Sequence, residues 1–285
     1  KDYEIGINGL YIGIMSEYGQ HVSKALLWDY LKLKIKEFSI VFGIQHAQSK
    51  KDECKLLEQL LDDLDKKLAM RKDESVLHER KQVKQQLDEY YRKKAKGYQI
   101  RSRAKWVEEG EQSTKYFLGL EKSRQTFNCI NSLQDRNGST VTSDKEILDV
   151  AKSFYSHLYK SKSVSSTDMN AVFESIIPEN VLTADLQEKC EGLISKDECM
   201  RAIKTMKRNK SPGLDGINIE FYEHFWPLVG DFLVDVFNEG FENGILPNSQ
   251  RSAVLALIFK KGDLEDISNY RPISLTNVDY RILAF

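Results

Sequence analysis

Val254-Leu255-Ala256-Leu257-Ile258-Phe259-Lys260-Lys261-Gly262-Asp263, followed closely by Asn269-Tyr270-Arg271-Pro272-Ile273-Ser274-Leu275, is the stretch that decides how this chain is read. A continuous apolar run that stops at a Lys-Lys-Gly-Asp turn reads as a buried strand. The second piece returns after a short acidic connection and carries one arginine in a strand-like setting. Strand, basic turn and returning strand make a hairpin, expected to pair residues 253–259 with 270–275 in antiparallel fashion. Pro272 fits a strand only at an edge or a bulge, which suits a hairpin better than a central sheet. Such a hairpin can hold cations over an anionic ligand. Phosphate suits it, because Arg offers a bidentate fork and Lys a point charge. Upstream, Lys210-Ser211-Pro212-Gly213-Leu214-Asp215-Gly216 is a loop punctuated by proline and glycine.

These three motifs, in this order and spacing, resemble the fingers of a reverse transcriptase from a non-LTR (LINE-type) retrotransposon. The most specific part is NYRPISLTNVDYRILA, residues 269–284. Leu214 and Phe259 stand where the family pattern often has proline. Residues 100–122, IRSRAKWVEEGEQSTKYFLGLEK, resemble the segment that precedes the polymerase in the same family, so the likeness runs over residues 28–285. The resemblance implies that Arg271 contacts the incoming triphosphate and that Lys260 or Lys261 closes over it. It implies that Lys210, Ser211, Pro212, Gly213, Asp215 and Gly216 shape the path of the template. The fold it implies is α+β: a helical N-terminal region, then the fingers part of a right-hand polymerase, truncated before the palm. The implied partners are an RNA template, a DNA primer, a deoxynucleoside triphosphate, and the palm and thumb of the same polyprotein. The implied setting is intracellular, cytoplasmic and nuclear. Mg²⁺ is expected for the complete polymerase and no cofactor for this fragment.

Nucleotidyl transfer needs two carboxylates holding a pair of divalent metals about 3.5–4 Å apart. In reverse transcriptases they sit on two palm motifs downstream of the arginine strand, one of them a Tyr/Phe-x-Asp-Asp turn. Neither occurs in this sequence. Its single Asp-Asp pair, Asp62-Asp63, lies in a long charged helix and reads as a solvated face. No Ser/His/Asp, His-Glu-x-x-His or Walker arrangement is present, and the five histidines lack metal-ligand spacing. The chain therefore reads as the nucleotide-gripping half of a polymerase, expected to be inactive alone. The alternative is a non-catalytic nucleic-acid-binding or helical interaction protein that retains the fingers as a relic. The sequence following residue 285 separates the two.

Composition is globular, with 41% hydrophobic and 30% charged residues over 285 positions, enough for one large or two small domains. A net charge of −1 gives nucleic-acid binding no support, so only local clusters can supply it. Four cysteines without Cys-x-x-Cys spacing suit an intracellular protein with reduced thiols. No apolar run approaches the ~20 residues of a membrane span, and no signal peptide is visible, so no membrane partner is expected. The chain opens with Lys1 rather than Met and stops inside an apolar run, so both ends are expected to be cut.

Along the chain, residues 1–22 show no clear period and stand as an unplaced leader. A capped helix is expected from Ser23, with Leu26, Leu27, Tyr30, Leu31 and Ile35 on one face. Residues 49–96 have the composition of a long charged helix or helical hairpin turning at 70–75. One stripe holds Leu57, Leu60, Leu61, Leu64 and Leu68, the other Val76, Val83, Leu87 and Tyr90. Arg92, Lys93, Lys94, Lys96, Arg101, Arg103 and Lys105 follow with no acid among them, interleaved with Tyr98 and flanked by Tyr91 and Trp106. Cations neutralise phosphates and aromatic faces stack on bases; the plain reading is a solvated helix face. Residues 23–123 thus form a helical region with a basic stretch, and Arg101, Arg103 and Lys105 are candidate nucleic-acid contacts.

Residues 124–162 are expected to hold a β-hairpin around Asp135-Arg136-Asn137-Gly138, then a helix opened by a Ser143/Glu146 capping box. Serine-rich residues 160–168 mark a linker, and 169–285 are the fingers region. There Ser195 and Glu198 open a helix carrying Arg201, Lys204, Lys207 and Arg208 towards the Lys210 loop. An amphipathic stretch at 218–243 should break in two at Trp226-Pro227 and end at Gly244.

Overall fold

The computed structural model describes residues 1–71, 73–102, 129–161, 163–176 and 182–285, with the backbone alone at 99–102 and 188–190. Among them the chain is mostly helical, with two small antiparallel sheets. It divides into two compact units: Lys1–Phe38 with Ile130–Phe285, and Ser39–Cys129. This differs from the division expected at 22/23 and 123/124. The first 38 residues share a core with the last third of the chain.

Helix α1 (Asp2–Tyr18) occupies the stretch left unplaced. It buries Ile7 and Ile14, yet Ile5 and Ile12 are 67% and 62% exposed. Apolar residues on both faces erase the period a sequence reading relies on. Helix α2 (Lys24–Met70) starts at Ser23, whose Oγ accepts from the Leu26 amide at 3.4 Å. Its buried stripe is Leu27, Trp28, Leu31, Lys32 and Ile35; the expected Leu26 and Tyr30 face outward. Trp28 takes their place because a large ring buries more apolar area.

In the first unit these helices pack on α7 (Lys196–Thr205), α8 (Ile219–Asn243) and α9 (Val278–Leu283). Ser195 and Glu198 form the full reciprocal capping box at the start of α7. Asn218 caps α8 by accepting from the Phe221 amide at 3.0 Å, and Gly244 closes it in the left-handed region. Helix α8 does not break: it runs straight through Pro227. Burial of Phe225, Trp226, Val229, Leu233, Val236 and Phe237 along one face outweighs the amide that proline lacks. Each such side chain contributes about 1.5–3 kcal/mol, against roughly 3 kcal/mol for an interior proline.

A second cluster joins β1 (Leu133–Gln134), β2 (Thr140–Val141) and α4 (Asp144–Leu158) to the 267–270 segment through Leu133, Ile147, Tyr155, Ile267 and Tyr270. Residues 124–128 of the expected 124–162 region lie outside the described residues. The expected linker gives way at Ser165, which caps α5 (Ser166–Ser175); α6 (Ala184–Glu191) follows.

Strands β3 (Ala253–Phe259) and β4 (Tyr270–Thr276) pair antiparallel from Ala253↔Thr276 to Phe259↔Tyr270. The Lys260 amide donates to the Asn269 carbonyl at 2.9 Å, so this pair is hydrogen-bonded. By the antiparallel alternation Ile258–Arg271 and Ala256–Ile273 are bonded too, and Leu257–Pro272 is not. The amide that Pro272 lacks would have pointed away from β3, so the ladder loses nothing. The apolar run does not form a buried strand. Val254, Leu255, Ile258 and Phe259 stay 38–55% exposed on both faces, because a lone two-stranded ribbon is little covered and only Leu257 of β3 packs against the α4 cluster.

In the second unit the remainder of α2 and α3 (Glu74–Ser102) form the expected helical hairpin. Cys54, Leu64, Val83 and Leu87 are its buried seam, flanked by Leu57, Leu61, Val76 and Tyr90. Among the described residues no helix is long and apolar enough to cross a membrane.

Candidate nucleotide and nucleic-acid site

The β3–β4 hairpin is held from beneath its turn. The Glu265 carbonyl accepts from the Gln134 amide at 2.8 Å, and its carboxylate accepts from Ser132 Oγ at 2.8 Å and Thr140 Oγ1 at 3.1 Å. Tyr155 donates its hydroxyl to the outward-pointing Tyr270 carbonyl at 3.3 Å, and Tyr270 donates to the Leu264 carbonyl at 2.7 Å. The small β1–β2 hairpin and α4 therefore brace the connection between the two strands. Within it Gly262 has φ +101°, and a Cβ there would lie 2.8 Å from the Asn269 side-chain nitrogen. Only glycine fits, and the tight turn leaves Lys260 and Lys261 exposed.

Arg271 faces Ile258 across the ladder, one pair in from that turn. Tyr270, its neighbour, points into the α4 cluster, so Arg271 lies on the open face with Ile258 and Ile273, all exposed. Among the described residues no carboxylate pairs with Lys260, Lys261 or Arg271. Three cations without an ion pair among the described residues thus stand at one end of the hairpin, beside aliphatic surface. Chemically, that arrangement suits an anion carrying a flat or apolar body.

The 210–216 loop is fixed by a buried polar cluster. A Cβ on Gly213 would meet Asn277 Oδ1 at 2.2 Å and its backbone nitrogen at 2.6 Å, so the loop backbone lies directly on the start of α9. Asn277 Oδ1 accepts from the Asp215 amide at 3.3 Å, while its Nδ2 donates to the Ser249 carbonyl at 2.8 Å. Lys36 donates to the Leu214 carbonyl at 2.9 Å and Arg281 to the Ser211 carbonyl at 3.4 Å. The Asp215 carboxylate turns inward, accepting from the Ile217 amide at 3.1 Å and Lys32 Nζ at 3.2 Å. Lys32 also donates to Asp279 Oδ2 at 2.7 Å. Trp28 Nε1 and Gln250 Nε2 reach the same oxygen at 2.8 and 3.1 Å, and the Tyr280 amide donates to Oδ1 at 2.9 Å. Side-chain exposure is 2% for Lys32, 0% for Asp279 and 7% for Asp215. Burial pushes the Asp215 carboxyl above the usual range, against the opposing pull of Lys32.

Of the loop residues named from sequence, Lys210, Ser211 and Gly216 face solvent, and Pro212 and Gly213 are half-buried. Any contact made by Asp215 runs through its backbone. Sequence reading missed Lys32, Lys36, Asn277, Asp279 and Arg281. The one signal available was a lysine four residues after Trp28 inside an apolar stripe.

The other basic clusters are partly neutralised. Arg92 and Lys93 both pair with Glu89, one turn upstream of the acid-free stretch, and Lys94 lies 5.9 Å from the Tyr90 ring centre. The side chain of Arg101, and Arg103, Lys105 and Trp106 entirely, lie outside the described residues. On α7 and just beyond, Arg201, Lys204 and Lys207 are exposed, while Arg208 pairs with Glu223. Asp62 and Asp63 are exposed on α2 beside Lys66. Among the described residues no three His, Cys, Asp or Glu side chains gather so as to hold a metal ion. Among the described residues the buried carboxylates Asp215 and Asp279 converge, and they share the Lys32 ammonium.

No protein-family model matches the chain. Over 257 residues, 90% of its length, it is 32% identical to the "Transposon TX1 uncharacterized 149 kDa protein" of Xenopus laevis. It spans 19% of that protein's length. Along nearly its whole length, then, this chain is similar to one segment of a much larger transposon-encoded protein.

Proposed function

We propose that the chain is the fingers-bearing part of a reverse transcriptase from a non-LTR retrotransposon. In this reading it supplies the nucleotide- and template-binding elements of an RNA-directed DNA polymerase, and the palm aspartates belong to another part of a longer protein. One observation carries the proposal. An in-register hairpin gathers Lys260, Lys261 and Arg271 at one end, none of them ion-paired to a carboxylate among the described residues, on a turn braced by Glu265 and Tyr155. Arg271 grips phosphate oxygens bidentately, the two lysines add charge, and Ile258 and Ile273 offer apolar surface to the rest of the nucleotide. The loop at 210–216, with Lys204 and Lys207 just before it, meets the template strand. The similarity to a transposon-encoded protein supports the same reading.

The test requires a protein extended downstream through a pair of palm aspartate motifs. There, Arg271→Lys keeps the charge and loses the fork. Losing a charge-assisted contact of about 1.5–3 kcal/mol lowers kcat/KM for nucleotide roughly ten- to more than a hundred-fold. Primer–template affinity and melting temperature should stay near wild type. Identical nucleotide kinetics in wild type, Arg271→Lys and Arg271→Ala would overturn the reading.

A further inference from the structure

The buried Lys32–Asp215–Asp279 cluster ties together three stretches that are far apart in sequence. Lys32 lies in the first turns of α2, Asp215 in the Pro/Gly loop 183 residues later, and Asp279 in α9, 247 residues from Lys32. The two contacts differ. Asp279 accepts four donors and is fully enclosed, which makes it the fixed end of the network. Asp215 is bound to Lys32 at the longer distance, and the same carboxylate holds the Ile217 amide. Around it the side chains that hold the loop backbone come from α2 and the 277–281 segment: Lys36 to Leu214, Asn277 to Asp215, Arg281 to Ser211. A Pro/Gly loop has little intrinsic shape, so these ties set its conformation.

We propose that Lys32 is a positioning residue: through Asp215 it holds the 210–216 loop in the conformation that receives nucleic acid, which makes the first turns of α2 a working part of the binding module. The inference rests on the reading above that the loop meets the template. An ammonium placed between two buried carboxylates has one low-energy position, and it transmits that position to both.

The experiment uses the whole 285-residue chain and a fluorescent RNA/DNA hybrid with a single-stranded RNA overhang. The main variant is Asp215→Asn. It preserves the Lys32–Asp279 pair, and its amide oxygen can still accept from Ile217, so the fold survives and the link to Lys32 is what is lost. Amide exchange at residues 211–217 should speed at least tenfold while amides of α8 exchange as in wild type. Kd for the hybrid should rise several-fold, with an unchanged salt slope because no phosphate-facing cation is removed. Lys32→Met should show the same local loosening together with a lower melting temperature. If it fails to fold, Asp215→Asn decides alone. Loop exchange and Kd both at wild-type values would overturn the positioning role. Exchange that speeds equally in the loop and in α8 would overturn it as well, reducing the cluster to general stability. A loosened loop with unchanged Kd would uphold Lys32 as the residue that shapes the loop and overturn the reading that the loop meets nucleic acid.

Discussion

Asp215 and Asp279 share one ammonium but answer differently to change. Removing one partner of a buried, hydrogen-bonded pair leaves a charge uncompensated and costs about 3–5 kcal/mol. Asp279→Asn should fall in that range by urea unfolding, because Lys32 then keeps only its longer contact. Asp215→Asn should be far milder at neutral pH, since one lysine then faces one aspartate. The two also separate with pH. Burial raises the Asp215 carboxyl above its ordinary value of 3.8, so the folded chain holds that proton more tightly than the unfolded chain does. The stability due to this group is complete below the ordinary value and is lost as pH rises through the raised one. The difference in unfolding free energy between Asp215→Asn and wild type should therefore move in favour of the variant as pH rises, then level off. A flat difference across that window would show that Asp215 titrates normally. None of this was legible in the sequence, where Lys32 stands 183 positions from Asp215 and 247 from Asp279. The place of Arg271 on the hairpin was legible because its setting is local: a turn, an apolar run and a returning strand within some twenty residues.

Elements defined by short-range chemistry came out where the sequence put them. The β3–β4 register, the Ser195/Glu198 box and the left-handed Gly244 cap all depend on neighbours within a few residues. Pro227 did not behave as its local chemistry predicts. Proline withholds the amide that would donate to the Glu223 carbonyl and crowds that carbonyl with its ring. The helix continues because its apolar face is buried on α1, α2 and α7, a fact no local window contains. Pro227→Ala should therefore stabilise the chain, by up to about 3 kcal/mol, with an unchanged circular dichroism spectrum. A loss of stability would mean that the ring packs better than the missing hydrogen bond costs. The apolar run of β3 misled in the opposite direction. Its residues looked buried because nothing in the run itself distinguishes a strand covered by a larger sheet from one left in a two-stranded ribbon with both faces partly open.

At the scale of the molecule, residues 1–38 were the least legible part. Their burial depends on α7, α8 and α9, all more than 150 residues downstream. Ile7, Ile14, Leu27, Trp28, Leu31 and Ile35 fill the core of the first unit. A chain beginning at residue 39 should accordingly lose cooperative melting in that unit, seen as unprotected α8 amides in hydrogen exchange. Intact α8 protection in the shortened chain would mean that the downstream helices close their own core. Most of the second unit's seam was readable from its apolar stripes, which left a long helix or a helical hairpin open, although Leu60 of the expected stripe is exposed and Cys54 is buried in the seam.

Pro272 bears on how these molecules meet one another. A two-stranded ribbon presents two outer edges, and here they are unequal. Along β4 the proline removes an outward donor and Tyr155 occupies the Tyr270 carbonyl, whereas β3 keeps its outward groups at Ala253, Leu255 and Leu257. If copies add strand to strand, β3 of one joins β3 of another and the contact closes as a symmetric pair. Head-to-tail addition, which would grow without limit, needs the blunted β4 edge. A single imino acid thus makes β4 the weaker of the hairpin's two edges for accepting another strand.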